Sequence, residues 1–186
     1  LDANGDWPRA LLRTAWGTAN MRTGGDDIAQ CLALMGVKPK WDSANRRVTG
    51  FEVIPANTLG RPRVDVTLRI SGFFRDAFPG LIDLVDSAAR AVLALDESQA
   101  INPAKANGAG ARVYGAKPGA YGAGLQAVID ERILDSQADF GESYLEGGSY
   151  SCGKVRQALR DLRRFEPPPC HVASCAPDPN CTPMPL

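Results

Sequence analysis

Residues 64–96 read VDVTLRISGFFRDAFPGLIDLVDSAARAVLALD. The first part alternates, so that Val64, Val66, Leu68 and Ile70 point one way, as in a strand with one face on a core. The second part carries Phe78, Leu81, Ile82, Val85, Ala88, Ala89 and Val92 as one apolar stripe, which predicts a long amphipathic helix over 73–96. A strand that passes directly into such a helix must bury both apolar surfaces against further strands and helices. This stretch therefore restricts the chain to layered α/β architectures.

Two neighbouring stretches repeat the pattern. RALLRTAWG, residues 9–17, reads as a buried strand, and DDIAQCLALMG follows as a helix with Ile28, Leu32 and Met35 on one face. Gly36 is placed to end that helix, with Pro39 just beyond it. RRVTGFEVIP reads as a short extended segment, and TLGRPR and Asn102–Ala111 read as loops. RVYGAKPGAYGAGLQAVIDER reads as a short strand, a glycine-rich loop and a helix. The predicted fold is α/β, a largely parallel sheet with flanking helices in a Rossmann-like arrangement. Residues 1–150 make one domain. Residues 151–186 form a Pro- and Cys-rich tail in which KVRQALRDLRRF is a basic helix and the rest is disordered.

In a parallel sheet, ligands bind beyond the carboxyl ends of the strands. Three strand-to-helix loops are expected on that rim: Gly17–Gly25, Ser71–Asp76 and Ala116–Gly124. Each carries one cation, Arg22, Arg75 and Lys117 respectively, which suits an anionic ligand. Tyr121 adds a ring with a hydrogen-bonding tip. Asp26 and Asp27 have two readings: a capping arrangement with Thr23, or a role toward a ligand or metal. Arg75 and Asp76 also have two: a surface pair, or part of a site. Arg22, read as lying just before a helix N-terminus, calls for an anion nearby.

Other classes fit less well. The chain balances 21 basic against 21 acidic residues, which disfavours nucleic acid and anionic membranes as partners. Its glycines match neither a dinucleotide fingerprint nor a P-loop, so ATP hydrolysis is not expected on this chain. His171 is the sole histidine and sits in the tail, which disfavours a Ser-His-Asp or Cys-His catalytic site. Cys170, His171, Cys175 and Cys181 lack the usual zinc spacing. Cys31 reads as a small core residue, and the cysteine pattern as a whole suits a reducing cytoplasm. The start LDANGDWPR, without Met, predicts a segment of a longer polypeptide or a processed chain.

AWGTANMRTGGDDIAQCLALMGVKPKWD, RRVTGFEVIPANTLGRPRVDVTLRISGFFRDAFPGLIDLVD and RVYGAKPGAYGAGLQAVIDE together resemble the large, CobN-type subunits of aerobic cobaltochelatases. Magnesium chelatase large subunits are more distant kin. The resemblance covers roughly Trp7 to Tyr150. It implies a subunit that holds a corrinoid tetrapyrrole while Co²⁺ is inserted. ATP and Mg²⁺ would be handled by AAA+ partner subunits, in the cytoplasm. The implied reaction is Co²⁺ + hydrogenobyrinic acid a,c-diamide + ATP → cob(II)yrinic acid a,c-diamide + ADP + phosphate. Within it, Trp16, Arg22, Arg75, Lys117 and Tyr121 would meet the ring, and Asp26, Asp27 and Asp76 would steer the cation or accept pyrrole protons. The metal ligands are not assigned. The resemblance also implies a fragment, shortened between Asp96 and Val113 and diverging after GGSYS. The alternatives are a non-catalytic remnant or tetrapyrrole-binding module, or a magnesium chelatase-type subunit.

Overall fold

The computed structural model describes residues 5–121 and 147–152. In chain order the elements are β1 (Ala10–Ala15), α1 (Gly17–Thr23), α2 (Asp26–Met35), β2 (Val37–Trp41), β3 (Val48–Val53) and α3 (Ala56–Leu59). Then come β4 (Asp65–Ile70), α4 (Gly72–Ala77), α5 (Pro79–Leu93), a 3₁₀ turn at Pro103–Asn107, β5 (Val113–Gly115) and β6 (Tyr150–Ser151). The main sheet has the order β1-β4-β5-β6. The first three strands are parallel and β6 is antiparallel to β5. The fold is thus α/β with a mostly parallel sheet, as the strand–helix alternation requires.

The register explains the core. Leu11 lies beside Val66 and Ala15 beside Ile70, while Leu68 lies beside Val113. These side chains share one face, and α2 and α5 pack together on it through Ile28, Cys31, Leu32, Met35, Ile82, Val85, Ala88 and Val92. The alternation at 64–70 and the stripe on α5 are both fully used. Cys31 is buried, and burial pushes its thiol up to about 11, which makes it an inert packing group. No helix among the described residues is long and apolar enough to cross a membrane.

Four local readings change. The helix expected over 73–96 is two helices, broken at Phe78 (φ −130°, ψ 49°). Pro79 is the cause: it excludes the α conformation for the residue before it and starts α5 at the position where a missing N–H does no harm. The loop expected at Gly17–Gly25 is mostly helix α1, and only Gly24 and Gly25, both at positive φ, break the chain. The extended segment RRVTGFEVIP holds β3, but its partner β2 was not foreseen. Pro39 sits inside β2 of this two-stranded antiparallel hairpin, where a missing donor is tolerated at a sheet edge. Finally, β6 and the buried Cys152 join the sheet, with the Cys152 N–H donating to Val113 O at 2.8 Å, where a short helix and a turn were expected. The helix expected after Gly124, the basic stretch from Lys154, the Pro-rich tail and the Cys170, His171, Cys175 and Cys181 set lie outside the described residues.

The segment RPR, Arg61 to Arg63, anchors the end of α2. Gly36 closes that helix at φ 75°. Arg61 donates to the carbonyls of Ala33 and Leu34, and Arg63 to those of Met35 (3.0 Å) and Gly36 (3.1 Å). Two cations thus add donors at the carbonyl end of α2, where the dipole favours them.

Candidate functional site

The strand register lines up three carboxyl ends. Ala15 pairs with Ile70, and Ile70 with Gly115. The next residues, Trp16, Ser71 and Ala116, therefore emerge side by side, so the three segments expected on one rim all start there, the third described as far as Tyr121. Ser71 joins the first two. Its N–H donates to Ala15 O at 3.1 Å, and its Oγ accepts from Gly17 N at 3.3 Å and Phe74 N at 3.1 Å. It is the N-cap of α4 and at the same time holds the start of α1.

Glycines let the loops close on one another. A Cβ at Gly17 would run into the Phe73 ring, and a Cβ at Gly72 would lie 2.6 Å from Ala120 O and 3.0 Å from the Tyr121 ring. The rim consequently displays three aromatic rings, Trp16, Phe73 and Tyr121, which are 53%, 43% and 65% exposed.

Arg75 fastens the third loop. Its Nε donates to Asp76 Oδ1 at 2.7 Å and Nη2 to Asp76 Oδ2 at 3.0 Å. Its Nη1 reaches the carbonyls of Ala116 (2.8 Å), Lys117 and Ala120 (3.4 Å). The Tyr121 O–H donates to Asp76 Oδ2 at 2.7 Å, and the guanidinium carbon lies 5.7 Å from the Tyr121 ring centre. The bonds from Arg75, and then from Tyr121, hold the Asp76 carboxyl below its ordinary range. The same bond to Asp76 raises the Tyr121 phenol. Near neutral pH the cluster is a carboxylate between two donors, and a carboxylate so held is a weak proton acceptor.

Arg75→Ala should therefore free the 116–121 loop. We expect its amide hydrogen-exchange protection to fall about tenfold or more while that of β4 is kept. Unchanged protection at 116–121 would show that the loop does not depend on this clamp.

The remaining predicted residues are dispersed. Asp27 pairs with Arg13 of β1, with Nη2 at 2.6 Å and Nε at 3.2 Å from its Oδ1. Sequence reasoning missed Arg13; its signal was a cation on the core-facing side of a strand. Asp26 is exposed, and its N–H donates to Thr23 Oγ1 at 3.3 Å; the N-cap of α2 is Gly25, so the capping box expected from Thr23 is not formed. Arg22 lies in the last turn of α1, where a cation suits the helix dipole. It is displaced from Trp16 by roughly 9 Å of helix axis. Lys117 is exposed on the rim. Among the described residues, no group of three or more His, Cys, Asp or Glu is arranged to hold a metal ion.

A family model described as CobN/Magnesium Chelatase matches residues 1–166. The chain is 54% identical over 184 residues to the aerobic cobaltochelatase subunit CobN of a Sinorhizobium species, covering 87% of this chain and 14% of that protein. It is 48% identical over 185 residues to the Pseudomonas aeruginosa protein of the same name, covering 89% and 15%. A magnesium-chelatase subunit from Rhodobacter capsulatus is 32% identical over 173 residues, covering 86% and 14%. Among solved structures, the catalytic subunit of cobaltochelatase from Mycobacterium tuberculosis superposes with a TM-score of 0.82 at 44% identity, over 88% of this chain and 15% of that one. The chain thus spans about one seventh of the length of the relatives it matches. Matched by the family model along most of its length and by a solved member in fold, the chain belongs to the CobN/magnesium chelatase family.

Proposed function

We propose that this chain is a portion of an aerobic cobaltochelatase large subunit, and that its rim meets the corrinoid into which Co²⁺ is inserted. The observation that carries the reading is the 54% identity to a CobN subunit over nearly the whole chain. The rim agrees with it chemically. Trp16, Phe73 and Tyr121 offer flat apolar surface for a macrocycle, and Lys117 offers a cation for a ring carboxylate. Arg75 acts as the clamp that holds the Lys117 loop in place. Arg22, further along α1, is placed for a carboxylate on a longer ring substituent.

Cobalt insertion releases the inner N–H proton of the corrinoid as the four ring nitrogens bind the metal. Asp27 and Asp76 are each held by an arginine, while Asp26, exposed at the start of α2, has no such partner among the described residues. Cobalt enters as a substrate. ATP and Mg²⁺ act on AAA+ partner subunits in the cytoplasm, and turnover belongs to the longer protein. For the chain by itself, the 14% coverage of its relative favours the narrower role of ring binding.

Calorimetric titration of the purified chain with metal-free hydrogenobyrinic acid a,c-diamide, with NADH as control, tests this. Saturable corrinoid binding and no NADH binding are expected. Lys117→Ala and Trp16→Ala should each weaken binding about fivefold, since each removes one exposed contact. Unchanged affinity in both variants would overturn the rim assignment. Absence of any corrinoid binding would overturn the ring-binding role.

A further inference from the structure

The β2–β3 hairpin is charged unlike the neutral chain that carries it. Residues 37–53 hold Lys38, Lys40, Arg46 and Arg47 against Asp42 and Glu52. All four cations are exposed. None of them makes an ion pair among the described residues, whereas five other arginines do. The hairpin supplies little counter-charge of its own. The Asp42 carboxylate accepts from Ala44 N and Asn45 Nδ2, each at 2.8 Å, and so serves the turn. Glycine stands opposite Lys40, at position 50, and a Cβ there would meet nothing.

The tip is stiff and holds one residue in a costly conformation. The Asp42 N–H donates to Arg47 O at 2.8 Å, and the Arg46 N–H to Asp42 O at 2.9 Å. Asn45 Oδ1 accepts from Arg47 N at 2.8 Å. Arg46 sits at φ 55°, and among the described residues no other non-glycine residue has a positive φ. Glycine or asparagine would take that conformation more easily. The turn has no need of a guanidinium at this position, because its bonds come from the backbone, Asp42 and Asn45. A long cationic side chain kept on strained backbone points to a use for the side chain itself.

We propose that this hairpin is a docking surface for an acidic, extended segment of a partner polypeptide. It involves none of the rim residues. Lys38 and Lys40 lie on one face of β2, about 7 Å apart along the strand. An extended peptide repeats its side chains at the same interval, so acids at alternate positions meet both ammonium groups. Beyond them, the Arg46 and Arg47 guanidiniums each take a carboxylate through paired hydrogen bonds. The stiff turn places these groups before the partner arrives, which lowers the cost of ordering them. Nucleic acid fits less well. A phosphodiester chain is charged at every unit and would meet Glu52, opposite Lys38, and Asp83, which borders the same hollow as Arg47. A polypeptide can set acids against the cations and neutral residues against those carboxylates.

The test is fluorescence anisotropy of a dye-labelled peptide of alternating Glu and Ala, titrated with the purified chain. Saturable binding is expected, and it should weaken as salt is raised. Arg46→Gly and Lys40→Ser should each weaken it about fivefold. Adding Lys38→Ser and Arg47→Ser to these two should abolish it. Glycine suits the backbone at position 46, so the melting temperature of Arg46→Gly should stay within about 3 °C of the natural chain's, which separates lost binding from lost fold. Arg9→Ser removes an exposed cation that is also without an ion pair among the described residues, and should leave binding unchanged. An equal loss with Arg9→Ser would reduce the effect to diffuse charge and overturn the docking surface. So would the absence of peptide binding. A DNA oligomer or an anionic phospholipid vesicle held more tightly than the peptide, and released by the same hairpin substitutions, would make the hairpin a phosphate-binding surface and overturn the proposal.

Discussion

Arg63→Ala should be among the most destabilising single changes in the chain. Arg63 is 1% exposed and every one of its N–H groups is used. Besides the carbonyls at the end of α2, it donates to Ile54 O at 2.7 Å and to both oxygens of Glu97, at 2.8 and 2.9 Å. One side chain therefore ties together α2, the segment after β3 and the segment after α5. Alanine takes that donor from the carbonyls of Met35 and Ile54 and removes the partner of a mostly buried carboxylate. Breaking a buried pair in this way costs about 3–5 kcal/mol, against a total stability of about 5–15 kcal/mol. We expect a melting temperature lower by roughly 10 °C or more, read by circular dichroism. A shift within about 3 °C would show that the network contributes little. The same pair sets a pH dependence. Hydrogen bonds from Arg63 hold the Glu97 carboxyl below its ordinary value of 4.5. A depressed carboxyl stabilises the fold above its unfolded pKa, and that stability is lost as pH falls through the folded one. Glu97→Gln should thus flatten the decline in stability below about pH 4.5.

Asp65→Ala is the second large loss. Asp65 opens β4 and is 3% exposed. Its Oδ1 accepts from Arg112 Nε at 2.6 Å and its Oδ2 from Asn107 Nδ2 at 2.7 Å. Arg112 in turn donates to Gly110 O at 2.7 Å and Gly108 O at 3.1 Å, which folds the 108–111 loop back on the sheet. Alanine leaves a buried guanidinium without its counter-charge, again about 3–5 kcal/mol. The urea midpoint should drop accordingly. Asp65→Ala combined with Arg112→Met should recover part of the loss, because no charge is then left uncompensated. A double variant no more stable than Asp65→Ala would mean that the ion pair is not the source.

The parts of the fold legible in the sequence were those governed by local periodicity. Val64 to Ile70 and the α5 stripe each announce their buried face, and the parallel order of strands follows from alternation with helices. The rim followed from that order, since parallel strands put all their carboxyl ends on one side. What was not legible depended on distant partners. The α1 helix looks like a loop because Gly17, Thr18 and Asn20 are poor helix formers; it holds because Ser71, 54 residues on, accepts its first N–H. Strand β2 was hidden by Pro39, which reads as a stop until β3 supplies a partner on the bonded side. The sequence names no partner for Arg13, Arg63 or Arg112, since a cation's partner is set by the tertiary fold. Among the candidate site residues, Arg75, Asp76, Lys117 and Tyr121 meet on the rim, while Asp26, Asp27 and Arg22 spread along α1 and α2.

The β1 strand is bonded to β4 on one side, and among the described residues nothing pairs with its other side. Leu12 stands on the sheet face opposite the core, 62% exposed, in a strand that reads ALLRTA. Such a margin is adhesive: its free amide and carbonyl groups can template an extended chain, and Arg13, which would repel a newcomer, is already neutralised by Asp27. The isolated chain should be prone to fibril growth seeded at this strand, and Leu12→Lys is the change that would blunt it.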